Sequence, residues 1–107
     1  MTKSDVTRRN VTVRLSNGLH MVPCSEIAKL AAQSSASVRI LGNDVTADAK
    51  SVLDLLQLKA EFGTELIVEA EGEEGPATVR GIVRLFETNF EPARDQPDPA
   101  STDTALP

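Results

Sequence analysis

Tryptophan and tyrosine are absent, phenylalanine occurs three times, and there is one histidine and one cysteine in 107 residues. A core must therefore be built from aliphatic side chains, and 40% hydrophobic residues suffice for one small domain. A lone cysteine, Cys24, excludes an internal disulfide and fits a reducing compartment. One histidine and one cysteine cannot complete a typical four-ligand zinc site, so no metal or cofactor is expected. Basic residues are in the minority, 11 against 16 acidic, for a net charge of -5. That balance argues against nucleic acid, whose binders carry a basic footprint, and against adsorption to anionic lipid. No run of about 20 apolar residues offers a membrane span. The first ten residues, "MTKSDVTRRN", lack the apolar stretch of a secretory signal. The expectation is a cytoplasmic domain with no membrane insertion.

What is present is a regular alternation of periodicities. In "NVTVRLSNG", Val11, Val13 and Leu15 face one way and Thr12, Arg14 and Ser16 the other, which predicts a half-buried strand ending at Asn17-Gly18. In "PCSEIAKLAAQSSA", Ile27, Leu30, Ala31 and Ser34 share one helical face. Pro23 is tolerated only in a first turn, so this helix starts at about residue 21, with His20 at or beside its N-cap. Val38 and Ile40, then a turn at Gly42-Asn43-Asp44, then Val45 and Ala47 predict a hairpin. Ser51 opens a short helix carrying Val52, Leu55, Leu56 and Leu58. Leu66 and Val68 alternate with Glu65, Ile67 and Glu69 in a fourth strand. "GPATVRGIVRLFETNF" predicts a last helix with Pro76 in its first turn and Val79, Ile82, Val83 and Phe86 on one face. Glu73 and Glu74 stand before its N-terminus, where the helix dipole favours acid.

The order β-α-β-β-α-β-α predicts an α+β open-faced β-sandwich: a four-stranded antiparallel sheet with three helices on one face and the other face wet. Residues 1–90 form the expected domain. Residues 91–107 hold four of the six prolines and little to bury, and read as a disordered, Pro-rich acidic tail.

The chemistry centres on "SNGLHMVPCSE", Ser16 to Glu26. The first backbone N–H groups of a helix have no intrahelical partner and lie at the positive end of the dipole, so they receive an anion. A phosphoryl group on His20 would lie against the amides of Met21 and Val22. A neutral imidazole is a nucleophile near physiological pH, and its phosphorylated form is also a donor. The bland alternative is that His20 merely caps the helix or fills a surface turn. Cys24, one turn further on, is expected to be a buried, inert thiol. A cysteine enzyme would also need an orienting group and an oxyanion site, and neither is visible.

Two motifs resemble those of the HPr family, the histidine-containing phosphocarriers of the phosphoenolpyruvate-dependent sugar phosphotransferase system. "GLHMVP", Gly18 to Pro23, is similar to the family's histidine site at Gly18, Leu19, His20 and Pro23. Met21 stands where the family has a small residue and Val22 where it has an arginine. "KSVLDLLQL", Lys50 to Leu58, resembles the regulatory serine site, with Ser51 at the serine. The resemblance covers about residues 9 to 88. It implies that His20 accepts a phosphoryl group on Nδ1 from the phosphoenolpyruvate-dependent first enzyme and delivers it to a sugar-specific component. That makes the protein a carrier of a transient phosphohistidine rather than a free-standing enzyme. It also implies that HPr kinase/phosphorylase acts at Ser51, that Val52, Leu53 and Leu56 dock partners, and that the protein is a monomer. Among these three, Leu53 lies off the helix stripe and should be the most exposed. Ser is also an excellent plain N-cap. With Val22 in place of the arginine, a partner or a nearby residue such as Arg14 would have to supply the cation. The alternative is a regulatory protein switched by Ser51 phosphorylation, with little part in sugar transport.

Overall fold

A computed structural model describes residues 5–91; of the tail expected over 91–107, all but Glu91 lies outside the described residues. Seven elements follow in the expected order: β1 (Val6–Thr12), α1 (Met21–Ala32), β2 (Ser37–Gly42), β3 (Val45–Asp48), α2 (Val52–Leu56), β4 (Glu65–Glu71) and α3 (Gly75–Glu87). The four strands form one antiparallel sheet in the order β1-β4-β2-β3. Residues of both inner strands and of all three helices enter a single core, with Ile27, Ile40, Leu55, Val68 and Ile82 fully buried. This is the α+β open-faced sandwich, and the aliphatic core follows from the scarcity of aromatic residues.

β1 begins at Val6, four residues before the alternation in "NVTVRLSNG" suggests, and ends at Thr12. The segment Val6–Arg9 hides its strand character because β1 is an edge strand, where charged side chains blunt unwanted pairing. Beyond Thr12 the alternation persists without the strand: Val13 and Leu15 are buried and Arg14 is exposed. The hairpin between β2 and β3 turns on Asn43 and Asp44, both with positive φ, at 49° and 65°. That is the handedness a two-residue hairpin needs to match strand twist.

α3 stops at Glu87 rather than running to Phe90. Asn89 and Phe90 adopt left-handed φ values of 55° and 63°. The Phe90 N–H donates to the Leu85 carbonyl at 2.7 Å, a bond that wraps the end of the helix. The reversal folds Phe90 back into the core, where its ring meets Phe86 edge-on at 4.9 Å between centroids.

The outer sheet face is less wet than the alternation implies. Register aligns Arg8, Glu69, Arg39 and Asp48 in one row across all four strands. Arg39 Nε donates to Glu69 Oε1 at 3.0 Å, and Arg8 donates from both Nε and Nη2 to Oε2. The two arginines cover Glu69, whose side chain is only 9% exposed. Hydrogen bonds from Arg8, then from Arg39, hold its carboxyl below the usual carboxylate range.

Candidate functional site

The turn before α1 is built by backbone. Gly18 has φ +73°, a conformation that a residue with Cβ adopts only under strain. Its N–H donates to the Leu15 carbonyl at 2.9 Å, and the next amide, Leu19, donates to the Ala60 carbonyl at 2.9 Å. A Cβ on Gly18 would stand 2.5 Å from that same Ala60 oxygen. The turn is therefore fixed against the segment following α2, and glycine is what permits the close approach.

His20 follows in extended conformation, φ -92° and ψ -166°, as the N-cap of α1. Its side chain makes no capping hydrogen bond, so the imidazole is not spent on the helix end. It is exposed. The first bond of the helix runs from the Cys24 N–H to the His20 carbonyl at 3.1 Å. The amides of Met21 and Val22 precede that bond, Pro23 has none, and the first turn carries no acidic side chain. The exposed helix end thus presents backbone donors and partial positive charge beside the imidazole.

Cys24 does not share the exposed side of His20, because the N-cap residue is not helical and the turn-to-turn spacing does not extend to it. Its Sγ is fully buried against the Leu19 carbonyl at 3.6 Å. Burial pushes its thiol up to about 11, the reverse of what a nucleophilic cysteine needs. Among the described residues no cluster of His, Cys, Asp and Glu could hold a metal ion.

Ser51 is the N-cap of α2, and its Oγ accepts from the Asp54 N–H at 3.2 Å. Two carboxylates stand close by in sequence and structure: Asp54, whose Oδ2 accepts from the Asp48 N–H at 3.1 Å, and Asp48 itself. α2 is only five residues long, so its dipole is small. Leu55 and Leu58 face the core, Val52 and Leu56 are half-buried, and Leu53 is 72% exposed. α2 packs on α1, and the segment that follows α2 meets the His20 turn through the bond from the Leu19 amide to the Ala60 carbonyl. Met21 and Val22 are also about half exposed, and so is Phe62, at 66%. Sequence reasoning passed over Phe62; its position just before Gly63, outside any periodic run, was the available signal.

A hollow of about 330 Å³ adjoins the imidazole, lined by Arg14, Leu15, Ser16, Asn17, His20 and Asn89. It contains no carboxylate. The strand alternation already turned Arg14 and Ser16 outward, but nothing in the sequence places Asn89, from the far end of α3, beside them.

A family model described as "PTS HPr component phosphorylation site" matches residues 7–88. The phosphocarrier protein HPr of Haemophilus influenzae is 32% identical over 80 residues, 75% of this chain and 94% of that protein. A multiphosphoryl transfer protein of Xanthomonas campestris is 32% identical over 77 residues, 72% of this chain; the match spans only 9% of that longer protein. Among solved structures, HPr-C-His from Thermoanaerobacter tengcongensis superposes with a TM-score of 0.75 over 78% of this chain and 94% of that one. At 21% identity that likeness speaks for the fold. No helix among the described residues is long and apolar enough to cross a membrane.

Proposed function

Because this chain belongs to the HPr family of phosphotransferase-system phosphocarriers, we propose that it carries a phosphoryl group on His20. The group comes from the phosphoenolpyruvate-dependent first enzyme and goes to a sugar-specific component, in the cytoplasm. The observation that carries this reading is an exposed imidazole without a capping bond, ending a helix whose first amides are free to receive an anion. In the accepting step a lone pair of Nδ1 forms the new bond to phosphorus. The donor keeps the electron pair of the bond that breaks, and the proton on Nε2 stays on the ring. The amides of Met21 and Val22 face the phosphate oxygens. The transfer is reversible in kind, since the phosphorylated imidazole is a good leaving group once a second acceptor is aligned. Leu53, exposed beside half-buried Val52 and Leu56, supplies the apolar contact that aligns it.

Phosphorylation of Ser51 by HPr kinase/phosphorylase is the weaker of the two roles. Asp48 and Asp54 would stand against a phosphate there, and a five-residue helix offers it little dipole. The test is incubation with phosphoenolpyruvate and the cognate first enzyme. Acid-labile phosphate should appear on the wild type and vanish in His20→Ala. If the first enzyme phosphorylates itself and the wild type remains unlabelled, the carrier role fails.

A further inference from the structure

The position two residues after the histidine is Val22, which can offer the phosphate only its amide. A dianionic phosphoryl group on a protein of net charge -5 needs a cation, and the cations of the described residues sort by what they already hold. Arg8 and Arg39 are bound to Glu69. Lys29 pairs with Glu26 at 3.6 Å, and Lys50 donates to the Ser34 carbonyl at 2.9 Å. Arg9 donates to the Arg8 carbonyl at 3.0 Å. Arg14, Lys59, Arg80 and Arg84 make no ion pair or side-chain hydrogen bond among the described residues, and of these four Arg14 lines the hollow that contains His20. The other polar lining groups are the hydroxyl of Ser16 and the amides of Asn17 and Asn89. In a chain with surplus acid, the imidazole thus faces a hollow rich in donors and free of carboxylates.

The backbone around Arg14 is held firmly. Val13 and Leu15, on either side of it, are buried. Val13 exchanges both of its backbone hydrogen bonds with Gly63 and Thr64, at 2.8 and 2.9 Å, and the Leu15 carbonyl is bound by Gly18. Alternation between two buried neighbours leaves the Arg14 side chain only the outward direction. Arg14 also lines the adjoining hollow, which it shares with Glu65 and Glu87, and it forms an ion pair with neither.

The geometry points to Arg14 as the cation that binds the phosphoryl group on His20, taking over the charge that an arginine at position 22 would have provided. The inference rests on the carrier reading. The guanidinium approaches from the β1 side of the imidazole and the helix amides from the α1 side, so the phosphate oxygens are held between them. Charge-assisted hydrogen bonds of this kind strengthen as negative charge gathers on the transferring group.

Phosphoramidate tests this directly, because this small donor brings no protein cation of its own. The ring nitrogen of His20 bonds to phosphorus, and ammonia leaves with the electron pair of the old P–N bond. The full-length chain is followed by the phosphorus resonance of phosphohistidine, with urea unfolding as a check on the fold. Arg14→Ala should slow phosphorylation roughly ten- to a hundred-fold with an unchanged unfolding midpoint. Arg14→Lys should retain part of the rate. Val22→Arg introduced into Arg14→Ala should restore most of it, which a merely structural role for Arg14 would not predict. If the wild type is labelled and Arg14→Ala is labelled equally fast, Arg14 is not the cation. A slowed Arg14→Ala that neither Arg14→Lys nor Val22→Arg improves also overturns the assignment. A wild type that acquires no phosphohistidine brings down the carrier reading itself.

Discussion

Replacing Gly18 by alanine separates two effects that a turn glycine usually confounds. At φ +73° a left-handed alanine costs about 1–2 kcal/mol. The new Cβ would also meet the Ala60 carbonyl oxygen at 2.5 Å and the Glu61 Cα at 3.1 Å, both of them backbone atoms. Neither can swing away as a side chain would, so the segment must shift, and overpacking of this kind adds about 1–3 kcal/mol. Gly63 provides the control. It too has a positive φ, +90°, but nothing lies within 4 Å of the Cβ it would gain. Gly63→Ala therefore reports backbone strain alone. The difference between the two variants, about 1–3 kcal/mol, is the steric part.

For a domain of this size each kcal/mol moves the melting midpoint by about 4–8 °C. Gly18→Ala should then melt roughly 5–20 °C below Gly63→Ala when both are followed by circular dichroism. The same shift should break the bond from the Leu19 amide to the Ala60 carbonyl, which orients His20. The surviving folded fraction of Gly18→Ala should accept phosphate more slowly than Gly63→Ala does. Equal melting midpoints for the two variants would refute the claim that contact with the α2–β4 segment fixes the turn.

Other perturbations reach other parts of the molecule. Glu69 is held below its ordinary range by Arg8 and Arg39, so its contribution is present above the unfolded carboxylate pKa and lost as pH falls through the lower folded value. Glu69→Ala should cost about 1–3 kcal/mol in urea unfolding at pH 7, and the gap to wild type should shrink in acid, starting near pH 4; a gap that stays constant down to pH 2 would contradict the pairing. Cys24, with its thiol near 11, should resist iodoacetamide at pH 8 in the native protein and react promptly in denaturant; fast native alkylation would show that the site opens. Ser51→Ala removes the acceptor for the Asp54 amide and should cost about 0.5–2 kcal/mol, whereas Ser51→Asn should cost less; equal losses would mean that the cap contributes nothing.

The parts of this fold that local chemistry dictates are legible in the sequence. The alternation in β2, β3 and β4, the turn expected at Gly42-Asn43-Asp44 (of which Gly42 proves to belong to β2), Pro23 and Pro76 in first turns, and Ser51 as a cap each follow from a residue's own conformational preference. The start of β1 was hidden because an edge strand needs no apolar face at its outer end, and the turn-back at Phe90 was hidden because a helical stripe does not announce where a helix will reverse. The row Arg8-Glu69-Arg39-Asp48 was invisible for a deeper reason. Its members sit on four strands, and their meeting depends on register, which is set by pairing across the whole sheet.

The candidate site divides along the same line. His20 and its helix end were readable from eleven consecutive residues, because a cap is a local object. For the cation the sequence offered Arg14 as one source and a partner as another, without a ground to choose. Arg14 is six residues before His20 in sequence, and alternation says only that it faces outward. That it lines the same hollow as His20 depends on the return of the chain through Gly18, anchored to Ala60 from another element, with Asn89 joining the lining from beyond α3. On the proposal that Arg14 binds the phosphoryl group, a phosphate site loses its arginine at one position and still keeps a guanidinium, because what the chemistry needs is a cation at a place in space. The sequence position that supplies it is free to change wherever the fold brings a second backbone to the same place.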